Sequence, residues 1–170
     1  MKTIYYLFLD RIVGKRVKEE GKYDKDYLFK KGQWVPDDRM VIDHHLTGFD
    51  PSEPLDSPYR HFNGSVMNEI DVIPEDTAKQ LMSKQTVNYL KEKWSNELLQ
   101  DRWEPGQGYL ARLVKTTFKL YGVDYEICPM DLGLSNSCLD QGLMEWHQET
   151  IGRDLKEYGA TEIHHYGEID

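Results

Sequence analysis

The chain has 170 residues, of which 39% are hydrophobic and 30% charged, and its formal net charge at pH 7 is −9. This apolar content is enough for a packed core and excludes a disordered polyelectrolyte. The acidic balance argues against direct nucleic-acid binding, and no apolar run is long enough to span a membrane.

The first part of the chain is predicted to be mostly β-structure. Residues 3–9 are β-branched and aromatic, which predicts a strand, and residues 27–35 predict a hairpin that turns near Lys31-Gly32. The short apolar run 40–42 predicts another strand. Residues 11–26 are mixed in charge and give no clear prediction.

A long acidic loop is predicted at about residues 43–66. Pro51, Pro54 and Pro58 disfavour helix there. Residues 36–76 carry ten Asp or Glu against two Lys or Arg, whereas residues 1–35 carry nine Lys or Arg against five Asp or Glu. Because a loop of this length is usually functional or disordered, the charge and the loop together point to a binding segment.

The second part of the chain is predicted to contain two helices and three strands. The helices lie at 74–100, where Pro74 suits the first helical position, and at 138–158. A hairpin at 109–128 turns near Tyr121-Gly122, and residues 161–169 form a last strand. The order predicts an α+β fold, mainly an antiparallel sheet with two principal helices packed on it, as a single domain over residues 1–170.

The motif Asp43-His44-His45 follows the predicted strand 40–42. A carboxylate and paired imidazoles can bind Mn²⁺ or Zn²⁺ and activate water. The motif resembles that of the Asp-His-His phosphoesterases, which implies a metal-dependent phosphodiesterase or nuclease, with His61 or Asp50 as a further metal ligand. The competing interpretation is that these polar residues simply open the acidic loop.

The remaining histidines and the cysteines carry weaker signals. His147 lies on the apolar stripe of the last predicted helix and is expected to be a histidine at the core edge. His164 and His165 alternate across the last strand. The two cysteines, Cys128 and Cys138, are expected to be reduced thiols in a cytoplasmic protein.

Three stretches are similar to a group of small bacterial proteins that have no assigned activity. They are GFDPSEPLDSPY at 48–59, LDQGLM at 139–144 and DLKEYGA at 154–160. In size and acidity the chain also resembles small inhibitors carried on mobile elements, including anti-CRISPR and toxin-immunity proteins. That resemblance implies an inhibitor that binds another protein.

The leading hypothesis is therefore a protein-binding inhibitor without a cofactor. Asp50, Glu53 and Asp56 are its predicted binding charges, and Tyr59 and Phe62 its predicted apolar anchors. The partner would be a protein with a basic surface, such as the nucleic-acid groove of a nuclease. The alternatives are the metal enzyme above and an oligomerisation module that uses the many Trp and Tyr residues.

Overall fold

The computed structural model describes residues 1–100, 115–132 and 145–166. The chain divides into two compact units, Met1–Met82 and Ser83–Asp170. Each unit has its own sheet, and every strand pairing in both sheets is antiparallel. The α+β fold is confirmed, whereas the single domain over residues 1–170 stays a prediction.

The first unit is built on a five-stranded sheet with the order β4-β3-β2-β1-β5. Its strands are β1 (Lys2–Phe8), β2 (Ile12–Lys18), β3 (Lys25–Lys30), β4 (Gln33–Pro36) and β5 (Ile70–Ile73). Between β4 and β5 lie two short helices, α1 (Val41–Thr47) and α2 (Gly64–Met67). Consecutive strands β1 to β4 form a meander, and β5 returns to pair with β1.

Helix α1 packs on one face of this sheet. Tyr6, Phe8, Leu28 and Ile42 form the buried core beneath the helix. At Gly14, in the middle of β2, a Cβ atom would lie 2.9 Å from Cδ1 of Ile42. The absent side chain therefore lets α1 approach the sheet closely, and this approach fixes the position of the residues that follow Ile42.

The second unit combines the later part of a long helix with a three-stranded sheet of order β7-β6-β8. Its elements are α3 (Glu75–Gln100, which begins in the first unit), β6 (Lys115–Leu120), β7 (Val123–Ile127), a 3₁₀ turn (Pro129–Leu132), a π-helical turn (His147–Ile151), α4 (Gly152–Glu157) and β8 (Thr161–Tyr166). The buried side chains of Leu90, Trp94, Phe118 and Leu155 belong to its core.

Most predicted elements are confirmed within the described residues. Hairpins turn at Lys31-Gly32 and at Tyr121-Gly122, a helix follows Pro74, and a strand occupies 161–166. The described part of the predicted helix 138–158 is helical from residue 145, with a π-helical turn inside it. The predictions for residues 109–114, 138–144 and 167–169, including Cys138, lie outside the described residues.

The predicted strand at 40–42 is wrong, because residues 41–47 form α1. The carboxylate of Asp37 accepts hydrogen bonds from the backbone N–H groups of Val41 and Ile42, at 3.0 and 2.9 Å, and so caps the helix start. Gly48, with φ of 79°, ends the helix. The predicted loop at 43–66 is accordingly shorter, since α1 and α2 take residues from its two ends.

Strands β2 and β5 were not predicted. None of the helices in the described part of the chain combines the length and the apolar character that a membrane crossing requires.

Candidate functional site

Residues 48–63, here called the acidic loop, leave α1 and return to α2. The loop is closed at its base by backbone hydrogen bonds from Asn63 N to the carbonyl of Gly48, at 2.7 Å, and from Asp50 N to the carbonyl of Arg60, at 2.8 Å. A loop whose ends are joined in this way is a compact surface element, not an open excursion of the chain.

Arg60 holds the interior of the acidic loop. Its Nη1 donates to the carbonyl of Pro51, at 3.2 Å, and to the carbonyl of Glu53. Its guanidinium carbon lies 5.5 Å from the ring centroid of Phe49. One side chain thus satisfies two loop carbonyls and contacts the ring of Phe49.

Asp50 also organises the loop. Its Oδ1 accepts from the backbone N–H and the hydroxyl of Ser52, and its Oδ2 accepts from Nδ2 of Asn63 at 3.1 Å. These hydrogen bonds, that of the Ser52 hydroxyl first, lower the pKa of Asp50. The predicted binding charge Asp50 is therefore an ionised group that already has donors within the loop.

The outer part of the acidic loop exposes apolar side chains. Leu55 is 84% exposed, Tyr59 61% and Phe62 65%. Glu53 and Asp56 lie on either side of Leu55 in the chain, and no cation of the described residues pairs with either carboxylate. The structure thus exposes both predicted anchors, Tyr59 and Phe62. Leu55 is a third exposed apolar side chain, which was not predicted from the sequence although it follows Pro54 in the predicted loop.

The side chains of the Asp43-His44-His45 motif point to different neighbours. Oδ1 of Asp43 lies 3.3 Å from Nη2 of Arg16. The ring of His44 lies 4.9 Å from that of Phe49. His45 contacts the carbonyl of Val41 through Nδ1 at 2.8 Å. Successive residues of a helix are rotated by about 100° from one another, which separates the three side chains.

This divergence bears on the metal-centre hypothesis. Its premise that the motif stands at a strand end is wrong, since all three residues lie in α1. His61 contacts the ring of Phe49, at 5.9 Å between centroids, and not the motif's carboxylate. In the ranges that the structure describes, no three His, Cys, Asp or Glu side chains are grouped so that they could hold a metal ion.

Two of the motif residues instead line a pocket beside the acidic loop. Its volume is about 380 Å³. The polar lining comes from His44, His45, Asp50, Ser52 and Glu69. The apolar lining comes from Val41, Phe49, Pro51 and Val66. Glu69, which sequence reasoning missed, faces His45 with 3.3 Å between Oε2 and Nε2.

The second unit contains a separate polar cluster. The hydroxyl of Thr116 lies 2.8 Å from Nε2 of His147 and 2.8 Å from Nδ1 of His165. His147 is 1% exposed, so it lies inside the core and not at the core edge that the sequence predicted. Burial, and then the charge of His165, lower the pKa of His147 to about 4. The contacts of Thr116 with the two histidines were not predicted from the sequence.

The comparisons with known proteins add no relative: no family model, no curated protein and no solved structure matches this chain.

Proposed function

We propose that this chain is a protein-binding inhibitor that docks its acidic loop on a basic surface of another protein, such as the nucleic-acid groove of a nuclease or similar effector. The observation that carries the proposal is a loop closed at its base that exposes Leu55, Tyr59 and Phe62 next to the carboxylates of Glu53 and Asp56. Exposed aromatic side chains in a charged surround are the usual composition of a protein interface.

The order of the loop favours binding. The hydrogen bonds of Arg60 and Asp50 fix the backbone of the loop before a partner arrives. A preorganised loop loses less conformational entropy on association than a flexible one, so a larger part of the contact energy appears as affinity.

The charge of the segment selects the partner. Residues 36–76 carry ten acidic and two basic side chains, so the surrounding field attracts cationic surfaces and repels anionic ones. Carboxylates on an ordered loop can occupy the positions that phosphates take in a nucleic-acid groove. Since the attraction is between exposed charges, we expect affinity to fall steeply as the salt concentration rises.

The test is affinity capture by the immobilised chain at low and high salt, followed by purification of the captured protein. The informative variants are the double substitution Tyr59→Ala/Phe62→Ala and the charge reversal Glu53→Lys/Asp56→Lys. Tyr23→Ala and Glu20→Lys are matched controls, because Tyr23 is 95% exposed and both residues lie in the turn between β2 and β3.

We expect the loop variants to lose the captured protein and both controls to retain it. The purified partner should handle nucleic acid, and its activity should fall when the chain is added in equimolar amount. Capture that is unchanged in the loop variants, or that is indifferent to salt, would contradict the proposal.

A further inference from the structure

The pocket beside the acidic loop has a lining whose charge favours a cation. Asp50 and Glu69 contribute carboxylates, and neither Lys nor Arg is among the lining residues. The hydrogen bonds that lower the pKa of Asp50 keep that carboxylate ionised. The pocket is therefore complementary to a positively charged group.

The hydrogen bonding of His45 leaves Glu69 available to such a group. Nδ1 of His45 lies 2.8 Å from the carbonyl of Val41, and a carbonyl oxygen can only accept, so this nitrogen carries the proton. The other ring nitrogen, Nε2, lies 3.3 Å from Oε2 of Glu69. This contact involves one oxygen of a carboxylate whose side chain is 42% exposed, so the second oxygen of Glu69 can accept from a donor that enters the pocket.

The walls fit a long side chain that ends in a flat cation. Val41, Val66 and Pro51 are apolar and suit a methylene stem. The volume of about 380 Å³ falls within the size range of small-ligand sites. A guanidinium is planar, is weakly hydrated and can donate two parallel hydrogen bonds to one carboxylate, whereas an ammonium is compact and strongly hydrated.

We propose that this pocket receives an arginine side chain of the partner protein, with the carboxylate of Glu69 accepting from the guanidinium. This inference rests on the proposed function and deepens it, since it names the chemistry of the partner residue beside the docked loop. Ser52 lines the pocket and Glu53 follows it in the chain, so the pocket lies where the acidic loop begins.

The experiment is a titration of the full chain with N-acetyl-L-arginine amide at pH 7.5, followed by NMR of the methyl groups of Val41 and Val66 and of the ring of His44. We expect saturable shifts at these residues with a millimolar dissociation constant. Glu69→Gln should weaken binding at least fivefold. Asp71→Asn is the matched control, because its exposed carboxylate lies two residues from Glu69 in the chain but does not line the pocket, and it should bind as the natural chain does.

N-acetyl-L-lysine amide and N-acetyl-L-glutamine amide complete the design. We expect weaker shifts from the lysine compound and none from the glutamine compound. Absence of saturable shifts with the arginine compound, equal affinity in Glu69→Gln, or equal binding of the lysine compound would each overturn the proposal. Failure of the docking proposal would look different, because Glu53→Lys/Asp56→Lys would then leave protein capture unchanged while this titration still gave its own result.

Discussion

His147 and His165 share one hydroxyl group, that of Thr116, with 2.8 Å to each ring. His147 is buried in the second unit, while His165 lies on β8 and is exposed. A hydroxyl has one proton, so in the neutral cluster it donates to one imidazole and accepts from the other. The protonation of the exposed ring is thereby linked to the hydrogen bonding of the buried ring.

The favoured arrangement follows from the second nitrogen of His147. Nδ1 of His147 is buried and has no hydrogen-bond partner among the described residues. A bare lone pair there costs less than an unpaired N–H donor, so His147 donates from Nε2 to Thr116, and Thr116 donates to Nδ1 of His165. When Nδ1 of His165 gains a proton, it becomes a donor and can no longer accept from Thr116. The hydroxyl group of Thr116 is then a buried donor without an acceptor.

The first prediction is that the second unit loses stability in mild acid. Burial is the main cause that lowers the pKa of both His147, from 6.5 to about 4, and His165. Lys156 and His164 lower that of His165 further. Between pH 6.5 and about 4 the unfolded chain binds more protons than the folded one, so stability is full above this window and falls as the pH falls through it. The loss should reach roughly 3 kcal/mol, measured by hydrogen exchange of the β6 amides.

His147→Gln and His164→Asn separate the causes of this pH dependence. His147→Gln should reduce the slope of opening free energy against pH between pH 6.5 and 4. His164 lies next to His165 on β8 and its side chain faces the opposite side of the strand. His164→Asn should therefore leave most of the slope in place. A slope that persists in full without His147 would contradict the assignment.

The second prediction concerns the shared hydroxyl. Thr116→Val keeps the shape of the side chain but leaves both imidazoles without their common partner, and we expect the second unit to lose about 2 kcal/mol. Thr116→Ser retains the hydroxyl and should lose less than half as much. The two variants are compared by denaturant unfolding at pH 7.5. Equal losses would show that packing, and not the hydrogen bonds, determines the effect.

Helix α1 and the cluster of Thr116, His147 and His165 show which features could be predicted from the sequence and which could not. β-Branched and aromatic residues and turn residues were enough to place β1 and the hairpins at Lys31-Gly32 and Tyr121-Gly122. The strand predicted at 40–42 failed because the capping contact of Asp37 with Val41 outweighs local β-preference. Contacts between distant positions, such as Thr116 with His165 and Glu69 with His45, have no local signal, and only the fold brings these residues together.

The third prediction tests the junction between α1 and the acidic loop. Gly48 has φ of +79°, and a Cβ atom there would lie 3.0 Å from Cγ of Met67 and 3.1 Å from the backbone nitrogen of Asn63. Gly48→Ala should therefore cost about 3 kcal/mol through backbone strain and steric overlap. Gly21→Ala is the control, since Gly21 has φ of +76° with nothing within 4 Å, and it should cost about 1 kcal/mol. Thermal unfolding of both variants measures the difference in stability. Equal shifts of the melting temperature would show that steric overlap at Gly48 does not contribute.

The fourth prediction concerns the two carboxylates that face Lys93. Asp154 is buried and accepts from Lys93 Nζ at 3.0 Å and from Trp94 Nε1 at 2.8 Å, whereas Glu97 lies 3.7 Å from the same Nζ and is partly exposed. Burial would raise the pKa of Asp154, but the hydrogen bonds from Trp94 and Lys93 hold it below its usual value. Asp154→Asn should destabilise the second unit by about 3 kcal/mol and Glu97→Gln by less than about 1 kcal/mol in denaturant unfolding. Similar effects of the two substitutions would contradict this ranking.

The last prediction tests whether Arg60 keeps the acidic loop ordered. Arg60→Ala removes the donor to the carbonyls of Pro51 and Glu53 and the contact with the ring of Phe49, so we expect the loop backbone to become mobile while the sheet of the first unit stays folded. Arg39→Ala is the matched control, because Arg39 is the other basic residue of segment 36–76 and is exposed. Backbone ¹⁵N relaxation should show lower order parameters at residues 53–59 in Arg60→Ala alone.

Since a mobile loop must be ordered on binding, the same variant should capture the partner less well although its charge is more acidic. Unchanged order parameters in Arg60→Ala would mean that the backbone hydrogen bonds of Gly48 and Asp50 are sufficient to hold the loop.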